Sequence, residues 1–171
     1  MKPGTWCWCL ALAGWVGSGC AGYRLGPVNP DLPPGRSVFV QPAVNQTMEP
    51  RLGEAVTAAL RRQFQRDGTF QPMRAGQADV VLSTTVLALD RLGVSFHPQD
   101  LVRPQDFQLT LQAHVRAVER SSGRVLLDRT FQGQTLMRIG PDLASAERQI
   151  LPLLADDLAR KVVLALAEGT W

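Results

Sequence analysis

The sequence predicts an α+β fold: a two-layer sandwich with two helices on one face of a four-stranded, mostly antiparallel sheet, in the order β-α-β-β-β-α. Three observations carry this. Phe107–Val118 alternates apolar and polar residues and is followed by a turn and a returning strand. Leu52, Val56, Ala59, Leu60 and Phe64 fall on one stripe of a helix. Leu143, Ala146, Ile150, Leu154, Leu158, Val162 and Ala165 repeat that period at the C-terminus. Two amphipathic helices bury their stripes most simply against one face of a single sheet.

The elements follow in order. Residues 1–19 have the layout of an export signal: Lys2, an apolar run from Trp6 to Val16, then the small residues Gly17, Ser18 and Gly19. That run is shorter than the roughly 20 apolar residues a membrane-spanning helix needs. Cleavage before Cys20 leaves a mature chain with one cysteine, at its first position, so no internal disulfide and no thiolate metal site can form. Small residues directly before a cysteine match a bacterial lipid-attachment site, although Gly17 stands where Leu, Val or Ala is usual. Cys20 is therefore the expected lipidation site, and acyl chains there would tether the protein to a membrane without spanning it. Residues 20–36 hold four prolines and three glycines and read as a tether.

Residues 37–171 then form one domain. Ser37–Gln41 is a short β-branched run ended by Pro42, hence the first strand. Pro50 opens the first helix and Gly68 stops it. Asp79–Leu89 carries apolar residues on both faces, the mark of a central strand. Gly93, Pro98 and Pro104 assign Leu92–Gln105 to a loop. In the next strand Phe107, Leu109, Leu111, Ala113, Val115 and Ala117 share one face, and Gln108, Thr110, Gln112, His114 and Arg116 the other. Ser121-Ser122-Gly123 makes the turn into Val125–Gln134, with Asp128, Thr130, Gln132 and Gln134 on its polar face. Asp142–Glu168 is the last helix, with Pro152 expected to kink or split it and Leu153 on its apolar stripe.

Composition narrows the function classes. Lys and Arg total 18 against 15 Asp and Glu, a net +3 spread along the chain, which argues against a nucleic-acid partner. His97 and His114 are the two histidines, and neither has a cysteine or carboxylate at metal-ligand spacing, so no metal and no cofactor is expected. Phosphate-binding glycine loops and the nucleophile elbow are missing. Asp156 and Asp157 point about 100° apart on a helix and cannot act as a carboxylate pair. The chain reads as a non-enzyme.

Cys20-Ala21-Gly22-Tyr23-Arg24-Leu25-Gly26 resembles the G-C-G-Y-x-L start of lipopolysaccharide-assembly lipoproteins of the LptE type. Val44-Asn45-Gln46-Thr47-Met48-Glu49-Pro50-Arg51-Leu52 is similar to that family's entry into the first helix, and Ala59–Phe70 to its exit. Ala21, inserted between Cys and Gly, departs from the usual start. The resemblance implies a lipoprotein on the periplasmic side of the outer membrane, anchored by its acylated cysteine. It further implies a seat in an LptD-type β-barrel and help in moving lipopolysaccharide to the outer leaflet. Ala21, in place of an Asp after the cysteine, agrees with outer-membrane sorting in lipoproteins at large. If lipopolysaccharide is bound directly, Arg91 and Arg103, both in the loop region, are the expected phosphate contacts, since a guanidinium meets phosphate with two hydrogen bonds. The alternative is a subunit of a CsgG-like secretion or envelope assembly, which shares the short strand, the Asn-bearing loop and the helix ending in Asp67-Gly68.

Overall fold

The structure, a computed structural model, describes residues 35–97, 100–138 and 143–169. The signal, Cys20 and the tether up to residue 34 lie outside the described residues. The chain runs β1 (Ser37–Val40), β2 (Val44–Asn45), α1 (Leu52–Asp67), β3 (Gln71–Pro72), β4 (Val80–His97), β5 (Asp100–Glu119), β6 (Val125–Arg138) and α2 (Leu143–Glu168). All six strands join one sheet in the order β3-β1-β4-β5-β6, with β2 paired to β4.

The α+β class and the two helices match the sequence reading; the sheet does not match in detail. It has six strands, not four, and it is mixed. β4, β5 and β6 are antiparallel, whereas β1 pairs in parallel with both β3 and β4, and β2 pairs in parallel with β4. The cause is the α1 crossover. A strand that leaves through a helix returns in the same direction, while tight turns reverse it. β2 and β3 are two residues long, too short to leave a periodic signal.

The larger correction concerns residues 92–105. Residues 92–97 and 100–105 are strand instead, the outer arms of a long β4–β5 hairpin whose pairing reaches His97 and Asp100, while Pro98 lies outside the described residues. Gly93 and Pro104 sit at or beside register shifts, between Gly93 and Ser95 and between Ser95 and Phe96, which is paired with Pro104. Bulges are where a sheet tolerates both residue types.

Local chemistry explains the remaining elements. Before α1, Asn45 Oδ1 accepts hydrogen bonds from the Thr47 N–H (3.0 Å) and hydroxyl (2.7 Å), while its Nδ2 donates to the Glu49 carbonyl at 2.6 Å. This self-bonded turn sets the entry angle of the helix. Gly53 allows close packing there, because a Cβ would lie 3.0 Å from the Ala43 carbonyl. α1 ends at Gly68, whose φ of 75° is in the left-handed region and whose N–H donates to the Phe64 carbonyl.

One core lies between the inner sheet face and the helices. Leu52, Val56, Ala59, Leu60 and Phe64 of α1 are fully buried, as are Leu109, Leu111, Ala113, Val115 and Ala117 of β5. Phe64 and Phe70 meet edge to face, with 5.7 Å between ring centroids and 86° between ring planes. α2 continues unsplit through Pro152. Its buried stripe is Leu154, Ala155, Leu158, Ala159, Val162, Val163, Ala165 and Leu166. Leu153, assigned by period to that stripe, is instead 58% exposed.

Candidate functional site: the open face of the sheet

Because side chains alternate along a strand, the residues of β4, β5 and β6 that do not face the core line up on the opposite face. No described element covers it. The pairing register orders this face into rows across the three strands. From the end nearest the β5–β6 turn outward these are Ser83–Arg116–Asp128, Thr85–His114–Thr130, Ala88–Gln112–Gln132, Asp90–Thr110–Gln134, Leu92–Gln108–Leu136 and Ser95–Asp106–Arg138.

The first four rows are hydrogen-bonding surface. Asp128 takes the His114 Nε2 at 2.8 Å and the Arg116 Nε at 3.5 Å, and Gln112 Nε2 donates to Asp90 at 3.3 Å. The fifth row is apolar at both ends: Leu92 and Leu136 are each 65% exposed, flanking Gln108. The sixth returns to charge. Asp106 takes the Arg138 Nε at 3.0 Å and the Ser95 hydroxyl at 2.6 Å, and these two hydrogen bonds, Arg138 first, hold its carboxyl below the usual range.

A single bulge at Leu87 changes which β4 residues face which way. Val86 pairs with Ala113 and Ala88 with Gln112, leaving Leu87 unopposed. Beyond it odd-numbered residues turn inward, so Arg91 stands opposite the buried Leu109. Arg91 is thus not in a loop, as the sequence suggested; it is on a strand, on the helix side, with its guanidinium 2.5 Å from Glu49 of the α1 entry turn. Arg103 falls in the β5 arm, and its side chain lies outside the described residues, as does that of His97. The two expected phosphate contacts are therefore not shown converging. Asp156 and Asp157 do separate: the first pairs with Arg62 of α1, the second with Lys161 and Arg160.

Two shallow grooves flank the sheet, one of about 510 Å³ along β1 and α1, lined in part by Phe39, Val40, Arg61 and Met73, the other of about 320 Å³ between β6 and α2. Among the described residues no group of three or more His, Cys, Asp or Glu is placed to hold a metal ion. Among them, too, no helix is long and apolar enough to cross a membrane.

Solved structures share this architecture. The PelC dodecamer from Paraburkholderia phytofirmans is 18% identical, with a TM-score of 0.55 over 78% of this chain and 89% of that one. The hypothetical protein CT253 from Chlamydia trachomatis is 10% identical at a TM-score of 0.57, covering 78% and 96%. Protein XCC0632 from Xanthomonas campestris is 15% identical at 0.54, covering 84% and 91%. At these identities the likeness is one of fold. Comparison with curated proteins gives no match. The family model for lipopolysaccharide assembly, LptE, matches residues 35–166, nearly the whole of the described domain, and the chain belongs to that family.

Proposed function

We propose that this chain is a lipid-anchored accessory factor on the periplasmic side of the outer membrane, held through acylated Cys20, that docks with an LptD-type β-barrel and assists lipopolysaccharide assembly there. The family match over residues 35–166 carries the reading. The open sheet face supports it, since four rows of Gln, Thr, His, Arg and Asp suit the polar, hydrogen-bonding interior of a large barrel. The role is non-enzymatic. Arg91 and Arg103 remain the proposed lipopolysaccharide contacts; for Arg91 this means exchanging the Glu49 carboxylate for a phosphate. Affinity purification of the C-terminally tagged protein, followed by mass spectrometry, is expected to recover an LptD-type barrel. Depletion should lower the amount of assembled barrel and make the outer membrane leaky to hydrophobic compounds. Normal barrel levels with an intact permeability barrier overturn the assignment.

The PelC dodecamer, a neighbour in fold, favours a second reading, a subunit of an oligomeric CsgG-like envelope assembly. Native mass spectrometry separates the two: a one-to-one complex with a barrel supports the first, a closed ring of this chain the second.

A further inference from the structure

We propose that the end of the sheet where the chain enters the domain is a docking surface for the phosphates of an anionic phospholipid bilayer. The inference rests on the reading of Cys20 as the lipid anchor, because the anchor decides which end meets the membrane. Sixteen residue steps separate Cys20 from Arg36, a reach of at most about 55 Å. The domain can therefore lie against the bilayer or stand off it, and the charge at the entry end decides which.

That end carries four arginines on three neighbouring connections. Arg36 precedes β1, and its carbonyl accepts from the Gln71 N–H at 2.9 Å. Arg74 and Gln77 close the turn between β3 and β4 through a 3.2 Å backbone bond. Arg120 and Arg124 flank the β5–β6 turn; the Arg120 N–H reaches the Asp79 carbonyl at 2.7 Å, and its guanidinium lies over Gly76. These bonds draw the three connections into one patch.

Two of the acids here, Asp79 and Glu119, are committed inward. Asp79 accepts from the Ser37 N–H at 2.9 Å and hydroxyl at 2.7 Å. Glu119 takes the Ser122 hydroxyl, Arg36 at 2.8 Å and, more loosely, Arg124 at 3.7 Å. In the last turn of α1, Arg66 and Asp67 offset each other. Arg74 and Arg120 are exposed and have no carboxylate partner among the described residues, whereas Arg36 is spent on Glu119. Planar forks left unfilled around the chain's point of entry match phosphate, which guanidinium binds with two hydrogen bonds. A basic residue held near an anionic membrane surface gains about fivefold in partitioning.

The test uses residues 20–171 with Cys20→Ser, which keeps the whole core and carries no acyl chain. It is sedimented with vesicles of phosphatidylglycerol and phosphatidylethanolamine, or of phosphatidylcholine alone. Binding is expected to the anionic vesicles only, to fall with added salt, and to drop about thirtyfold in Arg74→Gln/Arg120→Gln. Arg51→Gln/Arg148→Gln, at the opposite end of the helices, should leave it unchanged. Equal binding to neutral vesicles, equal loss in both double variants, or displacement by millimolar inorganic phosphate (a discrete anion site) each overturn the proposal. Lipidation fails separately, if Cys20→Ser in cells still fractionates with membranes after processing.

Discussion

Gly133 of β6 faces the Leu154 carbonyl of α2 with no room for a side chain: a Cβ on Gly133 would lie 2.6 Å from that oxygen and 3.0 Å from the Leu158 Cβ. The obstacle is backbone, so it cannot swing aside as a flexible side chain would. Gly133→Ala should force α2 off the sheet and cost about 1–3 kcal/mol, read as a fall in melting temperature of roughly 4 °C or more. A melt within a degree of the parent would show that α2 yields freely.

Leu111 is fully buried on the inner face of β5. Leu111→Asp leaves an unpaired charge in the core and should cost about 3–5 kcal/mol, enough to abolish a cooperative melt. Gln112→Asp, one residue along and on the open face, should change stability by less than about 1 kcal/mol. Equal damage from both would mean that the open face is covered in solution.

Asp79 ties the start of β1 to the start of β4 through Ser37, whose backbone N–H and then hydroxyl hold the carboxyl below its ordinary range. A carboxyl held low in the folded state adds stability above its unfolded pKa, about 3.9, and loses it as pH falls through the lower folded value. Glu119, held low first by Ser122, adds to the same limb. Asp79→Asn should therefore melt below the parent at pH 7, with the gap closing below about pH 4. A gap independent of pH would show that the carboxylate's charge is not what Ser37 recognises.

β6 is an edge strand, and α2 guards it. Asp157 accepts from the outward Gln134 N–H at 3.0 Å, and Lys161 Nζ donates to the outward Gln132 carbonyl at 2.8 Å. Burial pushes the Asp157 carboxyl up, but Lys161 and the Gln134 N–H outweigh it and hold it low. Two side chains thus occupy groups that would otherwise template a further strand. Asp157→Ala/Lys161→Ala should self-associate in static light scattering at concentrations where the parent is monodisperse. A double variant as monodisperse as the parent would show that the edge is harmless without them.

The legible parts of this fold are those where period and burial coincide. Phe107–Val118 and the α1 stripe ending at Phe64 were readable because each apolar residue meets the core at its regular interval. Residues 92–97 and 100–105 were not, because Gly93, Pro98 and Pro104 signal turns in any local reading, and only pairing with a partner arm gives Gly93 and Pro104 their places at or beside bulges. Leu153 failed for a related reason: it fits the stripe by spacing, yet α2 presents Leu154 and Ala155 to the sheet. Of the candidate site, the polar face of β5 and β6 was visible as alternation. The Leu87 bulge, which turns Arg91 inward toward Glu49, has no sequence signature, since it is defined by what stands opposite.

β1 lies between β3 and β4 and runs parallel to both. If the domain is moored through Cys20, as proposed, any drag on it is transmitted along β1 at Arg36. Load applied lengthwise to a strand flanked on both sides shears its slanted ladder bonds together, where a hairpin peeled from its end gives way one bond at a time. With that anchor, the short strand that looks least important to the core becomes the mooring point, and the rate at which it pulls free sets how firmly such a tether can hold the domain.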